Sequence, residues 1–147
     1  MKPDGLVGIS LLEDWQSCSF ESIAQVYRAV GWFRYADDEA SLKKAFTNSS
    51  YVLLALESNT VVGVLRSISD EVSVHYLQDI LVKPGHQRRG IGRELLGRAL
   101  KRFEHVRSHL LLTDSEDRQL DFYHSAGFEN VRTYKDGSMN TFIKMNS

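Results

Sequence analysis

Cysteine is almost absent from this chain of 147 residues, with Cys18 the single example. One thiol cannot build an internal disulfide framework, so stability has to come from apolar packing, and the pattern fits a reducing compartment. Proline occurs twice and glycine ten times, too sparsely to mark a linker or a second domain. No apolar run approaches a membrane span, and the N-terminus Met1-Lys2-Pro3-Asp4-Gly5 lacks the apolar stretch of a secretion signal. A formal net charge of −1 argues against wholesale coating of nucleic acid. At 42% hydrophobic residues the chain can fill one core. The expectation is a single domain over 1–147, soluble and cytoplasmic, with neither nucleic acid nor membrane as partner.

What is present is concentrated between Gln78 and Phe103. An apolar strand, Ile80-Leu81-Val82, runs into a Pro84-Gly85 turn and then into Gln87-Arg88-Arg89-Gly90-Ile91-Gly92-Arg93. Beyond it, Ile91, Leu95, Leu96, Ala99, Leu100 and Phe103 follow one face of a 3.6-residue period, which predicts a helix. A helix start carries unpaired N–H groups and about half a positive charge, so it favours phosphate. Gly90 and Gly92 let the backbone approach an anion closely. The arginines also admit a plainer reading as a solvated basic face, but the glycines at a helix start favour a pyrophosphate cradle. It is not a dinucleotide fingerprint, because Leu95 stands where a third glycine belongs, and the Gly-Lys-Ser/Thr of a P-loop is missing.

The rest of the chain reads as alternating elements. Leu6 to Leu12 is a strand. Ile23, Val26, Tyr27 and Val30 mark a helix begun near Ser19 and stopped by Gly31. Trp32, Phe33 and Tyr35 lie in an aromatic loop, and a short helix covers Asp38 to Phe46. Strands over Tyr51–Leu56 and Val61–Ser67 join at Ser58-Asn59, and a long strand covers Val72 to Val82. His109 to Thr113, with three leucines in a row, reads as a strand covered on both faces. Ser115 is the predicted cap of the next helix, which Gly127 ends. Val131–Lys135 and Ser138–Lys144 flank Asp136-Gly137, a two-residue hairpin signal. The order is β-α-α-β-β-β-α-β-α-β-β: an α+β domain with one mixed, mostly antiparallel sheet flanked by helices. His105 and His109 lack a third ligand, so no metal is expected.

Gln87-Arg88-Arg89-Gly90-Ile91-Gly92 resembles the Arg/Gln-x-x-Gly-x-Gly/Ala signature of the GNAT acetyltransferase superfamily, and Phe122-Tyr123-His124-Ser125-Ala126-Gly127-Phe128 resembles its Tyr-containing helix end. Val30-Gly31-Trp32 with Leu77-Gln78-Asp79-Ile80 is similar to a bacterial subgroup related to arylalkylamine acetyltransferases. The resemblance implies acetyl-CoA as co-substrate, with no metal, and direct transfer to a small-molecule primary amine. It places the cofactor arm along the backbone of Ile80, Leu81 and Val82 in the manner of an added strand, with the diphosphate at Gln87 to Arg93. It also implies that Tyr123 protonates the departing sulfur, where the residues alone allow a packed aromatic equally well. Asp79 would be the base, directly or through water, or else an ion-pair anchor. Gln78 beside it points the other way unless a bulge intervenes. Trp32, Phe33 and Tyr35 would wall the acceptor site or simply plug the core. Relatives dimerise through the C-terminal hairpin, so a homodimer is implied too. The alternatives are a non-catalytic acyl-CoA-binding regulatory module and a protein N-terminal acetyltransferase.

Overall fold

The structure, a computed structural model, describes residues 6–146. Its sheet has five strands in sequential order: β1 (Ile9–Leu12), β2 (Tyr51–Glu57), β3 (Thr60–Ser69), β4 (Val74–Val82) and β5 (Ser108–Leu111). The first four pair antiparallel, whereas β5 joins β4 in parallel. At Ser58-Asn59 both residues take positive φ, 49° and 66°, as the tightest hairpin turns demand. That turn sets the register that brings β3 back along β2.

α1 (Phe20–Ala29) starts where Ser19 accepts the Ser22 N–H, and α3 (Glu39–Thr47) where Asp38 accepts that of Ser41. α1 lays Ile23, Val26 and Tyr27 against Val52, Leu54, Val64 and Leu81, with Leu42 and Phe46 of α3 in the same cluster. Each such side chain stabilises the fold by roughly 1.5–3 kcal/mol. α4 (Ile91–Arg102) covers the other face, burying Ile91, Leu95, Leu96 and Ala99. A mixed five-stranded sheet flanked by helices is therefore the observed α+β architecture, and no helix among the described residues is long and apolar enough to cross a membrane.

The residues divide into two units, Met1–Leu112 and Thr113–Ser147. In the second, α5 (Asp117–Ser125) ends on Gly127 at φ +94°, where Phe128 N–H bonds Tyr123 O and Gly127 N–H bonds His124 O. That pair of bonds is the Schellman closure a left-handed glycine permits.

Several expectations need correction. Part of the aromatic loop is a short helix, α2 (Phe33–Ala36). Ser115 does not cap α5; Asp114 instead accepts the Glu116 N–H. β5 is not covered on both faces, since Leu110 is 48% exposed. The two C-terminal strands, Val131–Lys135 and Ser138–Lys144, do not form. Lys135, Asp136 and Gly137 do take positive φ, but the neighbouring amides close local turns. Thr133 and Tyr134 N–H reach Asn130 O, and Ser138 N–H reaches Lys135 O. Those short-range bonds use the amides a ladder would need, so the expected element order stops at α5.

Candidate active site

β4 changes character along its length. Its ladder to β5 runs from Val74↔Ser108 to Leu77↔Leu111 and stops there, while β4 continues to Val82 against β3. The register with β3 also shifts at this point, with Arg66 opposite Asp79 and Ser67 opposite Leu77, which leaves Gln78 as an extra residue. Such a bulge turns the strand's faces over. His75 accordingly stacks on Phe103 beside α4, whereas Asp79 bonds Tyr27 of α1. Past the bulge, the Gln78–Val82 edge that would face β5 has no strand partner among the described residues.

This open edge leads directly into the glycine loop. Lys83 N–H bonds Val62 O, a 3-10 turn covers Pro84–His86, and the Gln87 side-chain amide donates to Val82 O at 3.0 Å. Arg88 and Gly90 then take φ of +64° and +88° before α4 begins. No side chain caps α4, and its first-turn amides have no intrahelical acceptor by construction. A Cβ built on Gly90 would meet nothing within 4 Å, so the loop surface is open there. Alternating left-handed residues at a helix start form a concavity suited to an anion. Of the arginines, Arg88 and Arg93 are exposed, while Arg89 donates to Glu57 at 2.8 Å.

Gly63 explains how α4 reaches the sheet here. A Cβ at Gly63 would lie 3.3 Å from Ala55 Cβ, Ile91 Cγ2 and Leu81 O. The missing side chain lets the first turn of α4 settle on β3 next to β4, a use of glycine inside a strand that brings two backbones close.

Asp79 is buried, with its side chain fully covered. Its Oδ2 accepts the Tyr27 hydroxyl and Arg66 Nε, both at 2.8 Å, while Oδ1 has no hydrogen-bond partner. Burial and the adjacent carboxylate push the Tyr27 phenol well above its usual range. For Arg66, burial works against the charge but Asp79 outweighs it, and the net direction is upward. The Tyr27 ring also touches Trp32 and Tyr35, with centroids 6.3 and 5.9 Å away. Burial, then Asp79 and Tyr35, raise the phenol of Tyr76 on β4. Trp32, Tyr35 and Asp79 are thus joined through Tyr27, whereas Phe33 is 55% exposed and makes none of these ring contacts. Gln78, the bulge residue, is half-buried.

Tyr123 belongs to the second unit, near the end of α5. Its ring packs edge-on against Phe122 and Phe128, and burial, then Asp114, raise its phenol above 10.

None of Glu57, Gly63, Arg66, Tyr27 and Tyr76 is among the site residues expected from the sequence. Only Gly63 carried a usable sign, an isolated glycine within an apolar strand; the others become neighbours through pairing of distant strands.

The sequence profile of the acetyltransferase (GNAT) domain matches residues 22–147. A GNAT-family acetyltransferase of Streptococcus pneumoniae TIGR4 is 33% identical, covers 94% of this chain and 96% of its own, and superposes with a TM-score of 0.78. An aminoglycoside acetyltransferase from an uncultured soil metagenomic sample, solved with sisomicin, shares the fold at 24% identity and a TM-score of 0.64, over 95% of this chain and 93% of its own. Glucosamine 6-phosphate N-acetyltransferase of Schizosaccharomyces pombe is 24% identical over 98 residues, 61% of this chain and 88% of that protein. Two longer curated relatives, from Gibberella zeae and Glycine max, are spanned over only 48% and 59% of their length. The chain belongs to the GNAT family of acetyltransferases, whose members use acetyl-CoA.

Proposed function

We propose that this protein is an N-acetyltransferase that moves an acetyl group from acetyl-CoA to a small primary amine by direct transfer. The observation that carries the reading is the continuity of β4's open edge with an uncapped, glycine-opened helix start. An extended acyl arm ending in a diphosphate fits both parts at once. The backbone of Ile80, Leu81 and Val82 would pair with the arm. The amides from Arg89 to Arg93 would hold the diphosphate with Gly90, Ile91 and Gly92 at the closest approach, and Arg88 and Arg93 would add charge. Gln87, tied to Val82 O, would brace the loop.

Transfer forms an N–C bond and breaks a C–S bond; starting from the ammonium, the nitrogen gives up two protons, one before attack and one as the amide forms, while the sulfur takes up one and the other leaves to solvent. An alkylammonium near pKa 10.4 costs roughly 4.6 kcal/mol to deprotonate at pH 7. Since Tyr27 and Arg66 fill Asp79 Oδ2, Oδ1 is the oxygen left to accept that proton, directly or through water. Tyr123 would supply the sulfur's proton. A phenol giving its proton to a thiolate near 8.5 is uphill by roughly 2 kcal/mol, a gap that narrows as the sulfur is buried. The aromatic group on Tyr27, with Trp32 and Tyr35, supports a cationic or arylalkyl amine as acceptor, and Phe33 would extend that wall. The aminoglycoside and glucosamine 6-phosphate acetyltransferases among its relatives support a small-molecule acceptor, whereas the Glycine max relative is a histone acetyltransferase.

A screen of amines that reads free thiol released from acetyl-CoA tests the proposal. Amine-dependent release, highest with aryl or cationic amines, is expected. Coenzyme A binding without release with any amine would indicate a regulatory binding module instead.

A further inference from the structure

One carboxylate reaches the glycine loop from the end of β2, two strands away from β4. Glu57 closes β2, next to the Ser58-Asn59 turn. Its Oε2 accepts Arg89 Nη2 at 2.8 Å and its Oε1 accepts His86 Nε2 at 3.0 Å. The two partners lie on either side of Gln87 and Arg88, so a single side chain grips the loop before and after the residue at φ +64°. Two further ties, Lys83 N–H to Val62 O and the Gln87 side chain to Val82 O, fix the end of the loop nearest β4.

We propose that Glu57 is a positioning residue: it holds His86 and Arg89 so that the amides between Arg88 and Arg93 are already aimed before a diphosphate arrives. This rests on the reading of the loop as the coenzyme A diphosphate site. A non-glycine residue at positive φ is disfavoured by the backbone itself, and an anion site whose donors must first be ordered binds more weakly. The charge-assisted bonds from Glu57 offset both costs.

Positioning and simple charge repulsion have opposite effects on binding. A carboxylate close to an anion site repels the anion, so if that were all, removing Glu57 would tighten binding, and Glu57→Asp, which keeps the charge, would behave as wild type. Positioning predicts the reverse, because the shorter Asp cannot span both partners. The test is calorimetric titration of coenzyme A into wild type, Glu57→Ala and Glu57→Asp, with hydrogen–deuterium exchange of the loop in each free protein. Expected are a Kd about tenfold weaker for Glu57→Ala, a loss at least half as large on the logarithmic scale for Glu57→Asp, and faster exchange at 86–92 with β2 and β3 unchanged. Unchanged or tighter binding by Glu57→Ala, or a wild-type Kd for Glu57→Asp, overturns the inference while leaving the diphosphate site standing. Failure of wild type to bind coenzyme A overturns both.

Discussion

The two halves of β4 differ in what pairs with them. Val74–Leu77 lies between β3 and β5, and there His75 Nδ1 meets His109 Nδ1 at 2.9 Å while its ring stacks on Phe103 with centroids 4.1 Å apart. Gln78–Val82 keeps only β3. The bulge at Gln78 marks the boundary, and the Asp79–Arg66 pair stands immediately beyond it. One inserted residue therefore separates a half paired on both edges from a half with one edge left without a strand partner among the described residues. A strand can be part of the core and a binding edge at once when the change falls along its length.

The largest test of that boundary is Asp79→Asn. It leaves Arg66 buried without a counter-charge, which should cost about 3–5 kcal/mol in urea unfolding; a cost under about 1 kcal/mol would mean the pair does not fix the bulge. Next comes Gly92→Asp, which puts a carboxylate in the first turn of α4. Folding stability should hold or rise by a few tenths of a kcal/mol. Coenzyme A affinity should fall about a hundredfold, about 2.7 kcal/mol, by calorimetry. Equal affinity would move the anion away from the open half.

The closed half answers to pH instead. Burial, then the charge of His109, lowers the His75 imidazole from 6.5 to about 4. Between those values the unfolded chain binds more protons than the folded one. Stability should therefore fall by about 2 kcal/mol as pH drops from 6.5 towards 4, and stay flat above 6.5. His75→Gln should remove most of that slope in pH-dependent unfolding. Smallest is Tyr123→Phe, expected to slow single-turnover thiol release about tenfold with coenzyme A affinity unchanged. Wild-type turnover across pH would remove the phenol from the chemistry.

Local signals in the sequence were informative where the chemistry is local. Ser19 and Asp38 cap the helices they precede, Ser58-Asn59 turns the hairpin, and Gly90 takes the left-handed conformation its place in the loop suggested. The bulge left no trace. His75, Leu77, Asp79 and Leu81 are all buried at period two, yet they serve opposite faces. With both sides of the sheet covered, a change of face does not alter the hydrophobic pattern. Asp136-Gly137 shows the converse, a turn signal that was right about φ and wrong about pairing, because local bonds took the flanking amides. Glu57's hold on the loop is likewise invisible in sequence, since it depends on where the end of β2 lies beside a segment some thirty residues on.

Hydrogen–deuterium exchange with and without coenzyme A tests the division of β4 most directly. Protection should rise at Gln78–Val82 and at Arg88–Arg93 and stay unchanged at Val74–Leu77. Protection elsewhere, with Gln78–Val82 exchanging as in the free protein, would contradict it.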